Sequence, residues 1–218
     1  MAQFAGFQLQ CVRGERIVFS GLSFALEAGQ ALVLQGPNGS GKSSLLRLMA
    51  GLLRPDAGTM TWDNVNILKD PDAPDAHGAR LHYNGHGNAL KPALSVRENL
   101  YFWAGLRLTK QGPQQGFGVD EALQRFEIDH LADLPVQFLS AGQCRRLALA
   151  RLLAASAPLW LLDEPANALD ARSTEILATV IGEHRTQGGM VVLATHARDV
   201  PPDMQSLELS DFAGGKAL

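Results

Sequence analysis

Eight residues, Gly36-Pro37-Asn38-Gly39-Ser40-Gly41-Lys42-Ser43, carry the most specific chemistry in the chain. A polyphosphate concentrates negative charge and is held best by many short, preorganised donors. Glycines at 36, 39 and 41 let successive backbone N–H groups turn inward toward the β- and γ-phosphates. Lys42 is expected to reach the outer phosphates, and the Ser43 hydroxyl is placed to hold Mg²⁺. The nucleotide-binding run extends through Ser44.

Three further groups could act on what that loop holds. Asp163-Glu164 directly follows the apolar run Leu159-Trp160-Leu161-Leu162. There Asp163 suits a second Mg²⁺-organising carboxylate, and Glu164 a general base for the attacking water, a contribution of about 10²–10⁴ in rate. Taken alone, the pair also reads as a strand end with two solvated acids. Thr195-His196 closes another apolar run, where His196 can hydrogen-bond a γ-phosphate and stabilise transition-state charge. Ser140-Ala141-Gly142-Gln143 opens a helix-forming stretch whose outward-facing N–H groups can bind a second phosphate. One chain already has a phosphate cradle, so this end makes sense if it serves the nucleotide of another copy; an ordinary capped helix remains the alternative.

The elements that must position these groups are visible in the hydrophobic pattern. Ala31-Leu32-Val33-Leu34 reads as a buried parallel strand feeding the loop. A helix is predicted from Lys42 to about Leu53, with Leu45, Leu48, Met49 and Leu52 on one side and Arg54-Pro55 stopping it. Residues 7–12, 22–26 and 59–62 alternate as half-exposed strands do, while 159–162 and 190–194 read as buried strands. Ser95 to Leu108 is a helix candidate with Ser95 and Glu98 forming a capping box, and another helix is expected over Val119 to Phe126. The breaker clusters Pro71–Asp75 and Gln111–Gly116 are expected as surface loops. Strands separated by helices imply an α/β fold with a mostly parallel sheet and its chemistry at the carboxyl ends of the strands.

Composition bounds the function. The 218 residues are 46% hydrophobic and 19% charged, with a net charge of −3. Such a balance does not favour electrostatic capture of nucleic acid. No apolar run approaches the ~18 residues that cross a bilayer, and no secretory signal is visible, so the chain is expected to stay in the cytoplasm. Cys11 and Cys144 are far apart and read as small hydrophobes. His77, His82 and His86 are irregularly spaced and read as solvated histidines in a polar loop rather than as a metal or haem site.

Together, G-P-N-G-S-G-K-S, L-S-A-G-Q (139–143), L-W-L-L-D-E-P (159–165), N-A-L-D (167–170) and T-H (195–196) resemble the nucleotide-binding domain of ABC-type ATPases, in order and spacing over nearly the whole chain. The resemblance implies a single nucleotide-binding domain over residues 1–218. Within it are expected a mostly parallel core sheet, an antiparallel β subdomain and a helical signature subdomain at about 84–157. It further implies head-to-tail homodimers that sandwich two ATP, with Asp170 touching the opposite subunit. A single phosphate loop argues against translation factors with two cassettes. The short distance from Ser43 to Leu139 leaves no room for the long heptad insertion of DNA-repair ATPases. Transport is the expected role.

Two positions depart from the family pattern. Where these ATPases carry a Mg²⁺-contacting glutamine, this chain has His86, a candidate metal-site residue. Where an aromatic ring stacks on adenine, Val12-Arg13-Gly14-Glu15-Arg16 offers none; Arg13 or Arg16 can stack instead, or both are simply solvated. The strings G-L-L-R-P-D-A-G-T (51–59) and G-H-G-N-A-L-K-P-A-L-S-V-R-E-N-L (85–100) resemble the CcmA-type subfamily, the ATP-binding subunits of haem-handling exporters in cytochrome c maturation. A histidine at position 86 fits that subfamily. The resemblance implies membrane partner subunits of the CcmB/CcmC type and a peripheral place on the cytoplasmic face of the cell inner membrane. Another small ABC exporter is the alternative, with a soluble non-transport ATPase behind it. Asn99–Trp103 reads either as the contact with a membrane partner or as a buried helix.

Overall fold

The computed structural model describes residues 2–69, 73–106, 118–196 and 201–214. The chain divides into two compact units. The first comprises residues 1–85, 158–164 and 184–218; the second comprises 86–157 and 165–183.

In the first unit, β1 (Gln3–Arg13) and β2 (Arg16–Glu27) form a long antiparallel hairpin, and β3 (Ala31–Gln35) leads into helix α1 (Lys42–Met49). β4 (Ala57–Trp62) and β5 (Val65–Asn66) then complete an antiparallel sheet in the order β2-β1-β4-β5. Helix α2 (Ala73–Ala79) precedes β6 (Leu81–Asn84). β7 (Leu159–Asp163), β8 (Met190–Ala194) and β9 (Gln205–Glu208) join β3 and β6 in a second sheet, ordered β6-β7-β8-β3-β9, in which every pair is parallel. Strands covered on both faces should be apolar throughout; β7 is buried at all five positions and β3 at four of five. One core joins both sheets to α1, with Phe4, Phe19 and Leu26 from the antiparallel sheet beside Leu34, Leu45 and Leu161.

The second unit is helical. It holds α3 (Val96–Gly105), α4 (Val119–Arg125), α5 (Ala141–Ala154) and most of α6 (Ala171–Thr186). α5 packs against both α3 and α4. The expected capping box at α3 is present: Ser95 Oγ accepts from the Glu98 N–H, and Glu98 Oε2 accepts from the Ser95 N–H at 2.8 Å. Asn99 is fully buried and ties down the preceding loop, donating to the Lys91, Leu94 and Ser95 carbonyls.

Several expectations are corrected. α1 ends at Met49 rather than near Leu53. Gly51 takes a left-handed φ of 72°, its N–H donates to the Leu48 carbonyl, and the Leu52 N–H donates to the Arg47 carbonyl. This paired closure stops a helix by itself, so Leu52 is 66% exposed and Arg54-Pro55 merely follows. Ala73–Asp75 lie in the first turn of α2 rather than in a loop; a proline is tolerated there because its missing N–H has no intrahelical partner to lose. Pro71, Asp72, Arg107, Leu108 and 111–116 lie outside the described residues.

Candidate active site

The phosphate loop links β3 to α1, and its glycines are conformational requirements. Gly36, Gly39 and Gly41 have φ of 134°, 78° and 107°, all in the region side chains avoid. Space is also short: a Cβ on Gly41 would stand 2.5 Å from Val18 Cγ1, so the β1–β2 hairpin packs directly beneath the loop. α1 begins at Gly41 without a side-chain cap or an acidic residue in its first turn. Its first N–H groups and the positive end of its dipole therefore remain available to an anion. Lys42 is only 6% exposed, and its ammonium donates to the Gly36 carbonyl at 2.6 Å and the Pro37 carbonyl at 3.2 Å. The Ser40 hydroxyl is buried with no partner among the described residues, a donor suited to an oxyanion.

Asp163 ends β7, 3% exposed, and Glu164 follows it directly. Glu164 has φ of 47°, unusual for a residue with a side chain, and its N–H donates to the Ala194 carbonyl at 2.9 Å. That bond sets it beside the end of β8, where His196 Nε2 donates to Glu164 Oε1 at 2.8 Å. A base oriented by a second group, with both partly open to solvent, is the arrangement that water activation requires. A cleft of about 450 Å³ opens beside them, lined by Gln35, Gly36, Pro37, Thr195, His196, Glu208 and Ser210. The oxygen donors Ser43 and Asp163 suit Mg²⁺, which prefers few protein ligands alongside phosphate oxygens and water. No cluster of three or more His, Cys, Asp or Glu that could cage an ion occurs among the described residues.

Glu208 and Ser210 were not legible as site residues. Glu208 ends β9 and accepts from the Ser210 hydroxyl and N–H. Its carboxylate lies 3.1 Å from where a Cβ on Gly36 would stand. Only the pairing of β9 with β3 brings it there, and the strand Gln205-Ser206-Leu207-Glu208 is too short and polar to announce itself.

The second unit carries the remaining candidates. Ser140 and Gln143 form a reciprocal capping box at the start of α5, with Ser140 Oγ accepting from the Gln143 N–H and Gln143 Oε1 from the Ser140 N–H. Two of the donors expected to face outward are thus used locally; Ala141 and Gly142 N–H stay outside the helical ladder. Gly142 lies under the Ala168 carbonyl, 3.1 Å from where a Cβ would stand. Asp170 caps α6: its Oδ1 accepts from the Ser173 N–H at 2.7 Å, and that bond holds its carboxyl below the usual range. His86 is exposed on the stretch after β6. His77 and His82 correct the expectation of solvated histidines, being 2% and 6% exposed. His77 sits on α2 beside Phe4 and Trp62, bonded to the Met49 carbonyl at 2.7 Å, and burial pushes its pKa down. Arg13 and Arg16 are exposed around the β1–β2 turn.

A phosphate loop opening a helix, with a carboxylate pair at the end of a buried parallel strand and a histidine bonded to the second carboxylate, defines a phosphate-loop nucleotide hydrolase. The family model described as ABC transporter matches residues 19–167, and the chain belongs to that family; it is an ABC ATPase that binds and hydrolyses ATP. The chain is 55% identical over 215 residues to the "Cytochrome c biogenesis ATP-binding export protein CcmA" of Paramagnetospirillum magneticum, covering 99% of this chain and 97% of the relative. To the protein of the same name in Rhodospirillum rubrum it is 54% identical, covering 97% and 88%. Among solved structures, a chain described as an ABC transporter ATP-binding protein from Pyrococcus furiosus matches with a TM-score of 0.80 at 23% identity, covering 97% and 99%. An ATP-binding cassette solved as a dimer in a post-hydrolysis state with ADP and Pi matches at 0.78 and 25% identity, covering 89% and 88%.

Proposed function

We propose that this chain is the ATP-hydrolysing motor of an ABC exporter complex, of the haem-handling kind that serves cytochrome c maturation. The supporting observation is identity of 55% and 54%, over almost the entire chain, to proteins named as cytochrome c biogenesis exporters. The stretches that resemble this subfamily, 51–59 and 85–100, belong to the same chain as the Gly36–Ser43 loop and the Asp163-Glu164 pair.

In this reading the loop 36–44, through its backbone N–H groups other than at Pro37, and the Lys42 ammonium bind the β- and γ-phosphates of ATP. Ser43 and Asp163 organise Mg²⁺, which supplies charge neutralisation at the transferred phosphoryl group. Glu164 takes a proton from the attacking water, and His196 holds that carboxylate in place and faces the charge that develops on the phosphate. Ser140–Gln143 and Asp170 serve the nucleotide of a second copy in a head-to-tail homodimer. His86 takes the place of the metal-contacting glutamine. No helix among the described residues is long and apolar enough to cross a membrane. Following the named relatives, the proposed complex joins this chain to membrane subunits of the CcmB/CcmC type, with the chain peripheral at the cytoplasmic face of the inner membrane. Tyr101 and Phe102, 56% and 36% exposed on α3, are the side chains that such a partner would cover; Asn99 and Leu100 instead face the core.

The test is affinity purification of the chain from solubilised native membranes. Co-purification of membrane subunits of cytochrome c maturation, with ATP hydrolysis that depends on them, is the expected result. Recovery of unrelated permeases would instead support a different small exporter.

A further inference from the structure

The general base occupies a conformation that its own backbone resists. A left-handed φ is unfavourable for a residue with a side chain, and Glu164 is followed by a proline, which narrows its choices further. Such strain persists only where the surroundings hold it from both sides. On one side the Glu164 N–H is bonded to the Ala194 carbonyl. On the other, the Pro165 carbonyl accepts from Arg145 Nε at 3.0 Å.

Arg145 lies on α5, one turn past Ser140, and is 4% exposed. A buried guanidinium is tolerated only with its donors engaged. Its NH1 donates to Asn88 Oδ1 at 3.2 Å, and the Asn88 carbonyl in turn accepts from Arg151 at 3.1 Å. The Arg151 guanidinium is stacked 3.8 Å from the centre of the Trp103 ring on α3. The residue following the general base is therefore held through Arg145 and Asn88 to the segment that carries His86.

We propose that Arg145, steadied by Asn88, is a positioning residue for Glu164: it fixes the Pro165 carbonyl and so keeps the general base in its strained, active orientation. This rests on the reading of Glu164 as the base. Its fork of donors does what a lysine cannot, since a single ammonium on a flexible stem has no Nε in line with the carbonyl.

The test compares Arg145→Lys in the wild-type chain and in Glu164→Gln, by steady-state and single-turnover hydrolysis of radiolabelled ATP. Arg145→Lys is expected to lower kcat roughly tenfold while leaving KM for ATP within about twofold, a loss confined to the transition state. In Glu164→Gln, where no base remains to be positioned, the same change is expected to have no further effect. An equal proportional loss in both backgrounds, or a rise in KM with kcat unchanged, would overturn the proposal. Wild-type turnover by Glu164→Gln alone would remove the general-base reading and the positioning role together. Should Arg145→Lys fail to fold, Asn88→Ala decides, since it removes the steadying acceptor while keeping the buried arginine; it is expected to show a smaller kcat loss with the same background dependence.

Discussion

Lys42 shows how a residue can be committed to a ligand and still be satisfied without it. Its ammonium is bonded to two carbonyls of its own loop, so the buried charge is paid for locally and can be handed to a phosphate without a large rearrangement. Lys42→Ala is expected to raise the ATP dissociation constant at least tenfold, roughly the value of a charge-assisted bond, measured by titration calorimetry. An unchanged constant would remove Lys42 from the phosphate site. The contrast with Glu164 is instructive. The surroundings of Lys42 follow from the string itself, because its neighbours in sequence are its neighbours in space. The place of Glu164 directly after β7 is equally plain in the sequence, but its left-handed backbone and its bond to His196 depend on residues 30 positions or more away. Nothing in the string Asp163-Glu164-Pro165 announces them.

At the scale of elements, the capping box at Ser95 was legible because it is closed within three residues, whereas the reciprocal box at Ser140 takes up two donors that were expected to face outward. The end of α1 was not legible, because the glycine closure at Gly51 competes with a stronger-looking proline signal at Arg54-Pro55. Buried histidines were missed for a different reason: whether an imidazole is solvated is decided by which strand packs over it. His184 is the sharpest case. It stands in the last turn of α6, stacked on Trp160 of β7 with centroids 3.7 Å apart and planes within 4°. Burial lowers its pKa to about 4. The unfolded chain, with an ordinary pKa near 6.5, thus takes up this proton first as pH falls. Stability from this group is complete above pH 6.5, declines as pH drops from there to about 4, and levels off below. The midpoint of thermal unfolding is expected to fall by roughly 10 °C over that window. His184→Gln, lacking the titration, should remove this component; an identical pH profile in both proteins would exclude His184 as its source.

Over the whole molecule, the residues assigned to ATP in the proposed reading fall in both units. The first holds the phosphate loop, Asp163, Glu164 and His196; the second holds Ser140–Gln143 and Asp170. If, as proposed, a second copy completes the site, assembly depends on slow hydrolysis. Glu164→Gln with ATP and Mg²⁺ is accordingly expected to elute as a dimer in size-exclusion chromatography with light scattering, and as a monomer without nucleotide. A monomer in both conditions would argue against the composite site. The order β6-β7-β8-β3-β9 has one more consequence, which concerns how the protein is made. β3, the strand that carries the phosphate loop, has as its two sheet neighbours β8 and β9, strands the ribosome does not deliver until residues 190 to 208. Such long-range pairing is slow and leaves apolar edges exposed while it waits. The first motif to be synthesised is therefore among the last to be framed, and a nascent chain cut short before β8 would carry the whole phosphate-loop sequence with neither strand that frames it.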